Sequence, residues 1–287
     1  MEAAHPVADR TPRRIDAHQH IWDLATGRYA WPTAAERAIF RSFGPADLAP
    51  ALAPSGIDGT ILVQAADSLA DTDAMVEARV ANAWIVGIVG WAPLDDVSAA
   101  SRAIEPRLDR GLRGIRHLIH HEPDPDWLIR PDVRAGLARV ASFGLAFDVV
   151  AVFPDHLRHV PRIADEHPDL TLVIDHLAKP PIRAAGWDRW RRELKAAARR
   201  PNVVAKLSGL DTAAGQGWTV DEIRPWVDVA IEAFGPGRLL FGSDWPVCLQ
   251  VSTYGEVVDA TEGWLSELSG DERAAVLGGN AERVYRL

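Results

Sequence analysis

The chain has 287 residues, 47% of them hydrophobic and 25% charged, and a formal net charge of −9. This is a globular composition on a chain long enough to bury a sizeable core, and its acidic balance disfavours a nucleic-acid partner, because a negative surface repels phosphate backbones. No run of about 18 apolar residues is present, which excludes a membrane-spanning helix from the reading, and the one cysteine, Cys248, excludes an intrachain disulfide.

Residues 1–13 read as a short polar tail ahead of one domain spanning 14–287. The start lacks the apolar stretch of a signal peptide, and a lone cysteine suits a reducing compartment, so the expected location is the cytoplasm. From residue 15 onward, β-rich segments alternate with helix-like ones. The first β segment covers 15–20; after it, 21–44 holds Trp22, Tyr29 and Trp31 and reads as a loop over one end of the fold. Further β segments follow at 60–64, 85–91, 112–117, 145–150, 170–176, 203–208 and 239–244. Between them, apolar residues recur at helical spacing, as Ile223, Trp226, Val227, Ala230, Ile231 and Phe234 do over Val220–Phe234. Asp71 with Asp73, Asp95 with Asp96, Pro154 with Asp155, and Asp271 read as helix-start signals.

Strand alternating with helix implies parallel strands, since a parallel pair needs a long crossover. A doubly wound open sheet alternates in the same way. The count of eight segments and the polar residues at their C-terminal ends favour an α/β fold of the (β/α)8 TIM-like barrel type.

Those polar ends carry the chemistry. In the first strand, period-two alternation predicts Asp16, His18 and His20 on one face. A His-x-His at a strand end can share a metal or a carbonyl oxygen. The fourth segment ends in Arg116 and His117, a cation and an imidazole suited to an oxygen-rich substrate, only one of which can point inward. The sixth ends in Asp175-His176, followed by Lys179; His176 is the third imidazole and Asp175 a group that could orient one. The eighth ends in Asp244, able to take a proton from water or bind a metal. A helix cap is the plainer use of such an aspartate, but Pro246 disfavours helical geometry at Trp245. Gln64, Asp148, Lys206 and Ser208 also end strands. Gln64 and Asp148, with Trp31 and Trp91, would give a wet mouth with aromatic faces for sugar C–H surfaces.

Taken in order, Ile15-Asp16-Ala17-His18-Gln19-His20, Gly114-Ile115-Arg116-His117, Asp175-His176-Leu177-Ala178-Lys179-Pro180, Lys206-Leu207-Ser208-Gly209 and Phe241-Gly242-Ser243-Asp244-Trp245-Pro246-Val247 resemble the amidohydrolase-related family of aldonolactonases. L-fuconolactonases and L-rhamnonolactonases are among its members. The resemblance runs from about Arg14 to the C-terminus and implies a distorted barrel of amidohydrolase type. It implies that Asp244 activates water, that His18, His20 and His176 polarise the lactone carbonyl or hold a metal, and that Arg116 and His117 lie near the substrate. It leaves two cofactor states, no metal or one divalent ion, Zn2+ foremost, on His18, His20 and Asp244. Many binuclear relatives carry a lysine or histidine ligand at the end of strand five, where this chain offers only Asp148, so a bridged binuclear site is not expected.

The expected reaction is hydrolysis of a sugar-derived lactone, an aldonolactone such as L-fucono-lactone, with Gln64, Trp31 and Asp148 completing the substrate contacts. The cations Arg116, Lys179 and Lys206 are few, which ranks this above a dicarboxylate-lactone hydrolase. A metal-dependent decarboxylase of the same superfamily and a non-catalytic sugar-binding barrel are the other readings. The expected partner is the small-molecule lactone alone, without nucleic acid or membrane.

Overall fold

Short runs of aliphatic and β-branched residues form the strands β1 (Ile15–Gln19), β2 (Gly59–Val63), β3 (Ile85–Gly90), β4 (Leu112–His117), β5 (Ala146–Val149), β6 (Leu172–Ile174), β7 (Val203–Leu207) and β8 (Leu239–Phe241) in a computed structural model that describes residues 12–287. Most of the expected N-terminal tail lies outside the described residues. The strands pair in sequence order, each parallel to the next. A parallel bridge between Gln19 and Trp245 closes the ring from β1 to β8. Two backbone hydrogen bonds reinforce it, His20 N to Trp245 O at 2.7 Å and Asp244 N to His18 O at 2.8 Å. The barrel therefore closes at its mouth, among the residues expected to react.

All eight expected segments are strands: β4 has the expected bounds, β2 lies one residue earlier, and the other six are shortened at one end or both. β6 and β8 stop early because the backbone turns left-handed after them, at His176, Leu177, Ala178 and Lys179 and again at Asp244. The helices are α1 (Pro45–Leu52), α2 (Leu69–Ala81), α3 (Val97–Ile104), α4 (Pro131–Ser142), α5 (Val160–Glu166), α6 (Trp187–Ala198), α7 (Leu210–Ala214), α8 (Val220–Phe234), α9 (Tyr254–Trp264), α10 (Gly270–Ala274) and α11 (Asn280–Tyr285). Asp96 caps α3 as expected, accepting from Ala99 N. Asp71 lies one turn inside α2, whose cap is Ser68. Asp155 caps no helix, since α5 begins only at Val160. On α8 the expected stripe is buried except for Ile231, which is half-buried, and Val229 is buried with it. Trp226 of α8 meets Trp187 and Trp190 of α6 edge-on, with ring centroids 4.5 and 4.8 Å away.

One apolar layer fills the barrel interior: Ile15, Ala17, Ile61, Val63, Val89, Val173, Val204 and Leu240, packed with Val284 and Tyr285 of α11. A larger core lies between the strands and the surrounding helices. Among the described residues no helix is long and apolar enough to cross a membrane.

Candidate active site

Further along the strands from the apolar layer, inward-facing residues become charged: Arg116 on β4, Asp148 on β5, Asp175 just past β6 and Lys206 on β7, all buried. Lys206 Nζ donates to Asp148 Oδ2 at 2.5 Å and lies 3.1 Å from Asp175 Oδ1. Arg116 Nη1 lies 3.1 Å from Asp175 Oδ2, and its Nη2 donates to the Gln64 carbonyl. Tyr285 donates to Asp148 from below at 2.9 Å. Two cations thus balance two acids. Burial opposes the charge of Asp175, but Lys206, His18 and Arg116 around it outweigh that and hold its carboxyl well below the usual range. Burial pushes the Asp148 carboxyl up to about 6, with Lys206 working against the rise.

His18 stands on this layer. Its Nδ1 is 3.3 Å from Asp175 Oδ1 and its Nε2 is 3.3 Å from Arg116 Nη1. A guanidinium can only donate. The Nδ1 of His18 also lies 3.1 Å from Lys206 Nζ, an ammonium that likewise only donates, so a cationic donor faces each ring nitrogen, with Asp175 beside Nδ1 as well. Burial holds this imidazole well below its usual range despite Asp175, so it is neutral. His20 is fixed through Nδ1, which donates to the Val63 carbonyl at 2.7 Å and turns Nε2 inward.

These orientations make an unusual triangle. His18 Nε2 and His20 Nε2 are 3.2 Å apart, and Asp244 Oδ1 lies 3.6 and 3.3 Å from them. Two imidazole nitrogens and a carboxylate oxygen converge here, an arrangement suited to one shared positive charge, a proton or a cation. Ligands at about 2.0–2.1 Å from a tetrahedral Zn2+ stand roughly 3.3 Å apart, so the triangle fits such an ion. His176 completes the group: its Nε2 is 3.9 Å from Asp244 Oδ1, and ligand atoms of His18, His176 and Asp244 all lie within 4.8 Å of one another. His176 Nδ1 is held by Ser208 Oγ at 2.8 Å. Burial lowers this imidazole to about 4, with Asp244 pulling the other way. Burial would raise the Asp244 carboxyl, but the facing His176, His20 and His18 outweigh it and hold the group below the usual carboxylate range.

Asp16 departs from expectation. The register of β1 shifts between Asp16 and Gln19, so the period-two face breaks and Asp16 turns away from His18. It accepts from Ser243 N at 2.9 Å, Ser243 Oγ at 2.5 Å, His18 N at 3.0 Å and Tyr254 OH of α9 at 3.2 Å. It is a staple between β1 and β8 that fixes the backbone of His18 relative to Asp244. Gly209 is a second residue unforeseen in the sequence. Its φ is 58°, and a Cβ there would stand 2.8 Å from His176 Nδ1 and 3.0 Å from Asp244 Oδ2. The Ser-Gly pair after β7 was the signal for it.

Over the triangle opens a cavity of about 420 Å³, walled by His20, Arg116, His176 and Asp244 and by Trp22 and Trp31 of the 21–44 segment, with His120, His121 and Lys179 also lining it. Tyr29 anchors that segment by donating to Asp71 at 2.7 Å. Four residues expected at the mouth, His117, Gln64, Asp148 and Trp91, do not line the cavity. His117 receives Trp91 Nε1–H on Nδ1 at 3.1 Å, lies 2.7 Å from Glu122 Oε1 through Nε2, and stacks on Trp127 at 4.0 Å, because Arg116 takes the inward position. Gln64 is buried and donates to Asp67 at 3.1 Å. Asp148 lies in the layer below, committed to Lys206 and Tyr285.

Comparison with known proteins sets this geometry in context. The family model described as amidohydrolase matches residues 15–287. An L-fucono-1,5-lactonase of Burkholderia ambifaria is 37% identical over 279 residues, covering 96% of each chain. A solved amidohydrolase of Burkholderia multivorans with bound HEPES superposes with a TM-score of 0.89 at 33% identity, covering 96% of this chain and 99% of that one. A second crystal form with bound zinc gives 0.87 at 35% identity with the same coverage.

Proposed function

Because this chain belongs to the amidohydrolase family, we propose that it is a lactone hydrolase that opens a sugar-derived lactone, an aldonolactone such as L-fucono-1,5-lactone, to the aldonic acid. The substrate named for its relatives supports the sugar lactone. The observation in this chain that carries the reading is the buried triangle of His18, His20 and Asp244 at the floor of a cavity with tryptophan walls.

In this mechanism Asp244 is the base. Its carboxylate takes a proton from a water whose oxygen attacks the lactone carbonyl carbon. The ring C–O bond then breaks, Asp244 returns the proton to the departing ring oxygen, and one water has been added. A carboxylate held below its usual range is a weak base, so much of the barrier must be lowered where negative charge develops on the carbonyl oxygen. A positive charge held in the triangle would serve that purpose. A divalent cation, Zn2+ foremost, fits there with His18, His20 and Asp244 as ligands and His176 beside them, and when bound supplies a Lewis acid for the carbonyl oxygen. A bridged binuclear site does not fit, because Asp148 is already engaged by Lys206 and Tyr285. Trp22 and Trp31 offer their faces to the sugar C–H surface. We place the enzyme in the cytoplasm, where a single unpaired cysteine, Cys248, is at home, with the lactone as its partner.

A pH-indicator assay over aldonolactones and a dicarboxylate lactone, with and without chelator, tests the reading. The expected result is acid release from aldonolactones in preference to the dicarboxylate. Loss of release on chelation assigns a metal to the triangle; retention assigns a proton. No release from any lactone, with or without added Zn2+, would overturn the proposal.

A further inference from the structure

The cavity holds one cation that no carboxylate neutralises. Arg116 is paired with Asp175 at 3.1 Å, and Lys206 with Asp148 and Asp175. Lys179 lines the same cavity at its exposed rim, and among the described residues no carboxylate pairs with it. The backbone that delivers it is costly. His176, Leu177, Ala178 and Lys179 have φ of 52°, 49°, 61° and 49°, a left-handed turn of four non-glycine residues. L-residues visit this region singly as a rule, because Cβ crowds the following carbonyl oxygen. Strain of this kind persists where the surroundings enforce it and clusters at functional sites.

The surroundings here do enforce it. Lys179 N closes the turn on His176 O at 2.8 Å, Trp190 Nε1 donates to Leu177 O at 2.8 Å, and Phe153 N donates to Ala178 O at 3.0 Å. Leu177 and Ala178 are buried in the core. The first and last residues of the turn, His176 and Lys179, both line the cavity. The turn thus brings Lys179 into the same cavity as His176. His120 lines the same cavity; burial first, and then the Lys179 charge, lower its imidazole to about 3. That leaves His120 uncharged, with a buried Nδ1 that has no hydrogen-bond partner among the described residues.

We propose that Lys179 is the carboxylate-binding residue of this cavity and takes the carboxylate of the open-chain sugar acid. The identity of that acid rests on the lactonase reading. A monoanion matches the site better than a dianion, since one unpaired ammonium shares the cavity with the Asp244 carboxylate. The enzyme would therefore hold its product, and the acid would inhibit.

Calorimetric titration of the whole protein with L-fuconate and with the neutral alditol L-fucitol tests this, alongside lactone turnover on the same preparations. Lys179→Met should weaken L-fuconate binding about tenfold, the scale of a lost charge-assisted hydrogen bond, and change L-fucitol binding by less than about twofold. Lys179→Arg should restore most of the L-fuconate affinity. Equal L-fuconate affinity in wild type and Lys179→Met, or no L-fuconate binding by the wild type, would overturn the inference. The two readings fail separately. Lactone turnover with unchanged L-fuconate binding in Lys179→Met removes only this inference. Absent turnover with L-fuconate binding that depends on Lys179 removes only the lactonase reading.

Discussion

Single residues carry two kinds of electrostatic commitment in this protein. Asp211 of α7 shows the simpler one. It is buried, accepts from Ser252 Oγ at 2.7 Å, and burial pushes its carboxyl up to about 6 from 3.8. Between those values the folded chain keeps a proton that the unfolded chain has lost, so the contribution is stabilising at low pH and is lost as pH rises through about 6. Asp211→Asn cannot ionise. Its stability relative to wild type should therefore improve by about 2 kcal/mol from pH 4.5 to 7.5, read from urea unfolding at both values; an unchanged difference would contradict this. Lys206 shows the second kind. Lys206→Met strands Asp148 and Asp175 and should cost about 3–5 kcal/mol, while Lys206→Met with Asp148→Asn should cost less because both charges leave together. Comparing the two melting curves checks it. His18, His20, His176 and Asp244 were legible in the sequence because they end strands, where a barrel gathers side chains. Asp16 was misplaced because a shift in β1 breaks the period on which its face was inferred. The Lys206–Asp148–Tyr285 chain was not legible: its members lie 58 and 137 residues apart and meet only once the barrel closes.

At the scale of elements, the strands and α8 followed from periodicity, but the ends of β6 and β8 did not. Propensity gives no warning that His176 to Lys179 and Asp244 turn left-handed; the packing of Leu177 and Ala178 imposes it on the first of them. Helix–strand spacing is set just as tightly. Gly136 on α4 lies against the backbone that follows β3, and a Cβ there would stand 2.0 Å from Leu94 O. Since backbone cannot move aside as a side chain can, Gly136→Ala should cost about 1–3 kcal/mol. The thermal midpoint should then fall by roughly 2–4 °C for each kcal/mol, with turnover per folded molecule retained. An unchanged midpoint would mean that α4 shifts freely.

For the whole molecule, alternation, the count of eight segments and the polar strand ends favoured a closed parallel barrel over an open doubly wound sheet, and closure explains why chemistry gathers at one end. The plug of α11 beneath the barrel was not legible, since nothing in Val284 or Tyr285 says which end they seal. The layered interior, apolar below, charge-balanced in the middle and open above, places the triangle of His18, His20 and Asp244 between a rigid floor and the cavity. General base catalysis contributes about 100- to 10,000-fold, and the central claim is that Asp244 supplies it. The most direct measurement is acid release from L-fucono-1,5-lactone by wild type and Asp244→Asn side by side, with both shown to be folded. The account predicts turnover by the wild type and a loss of kcat of at least about 100-fold in the variant; near-equal turnover by the two would contradict it.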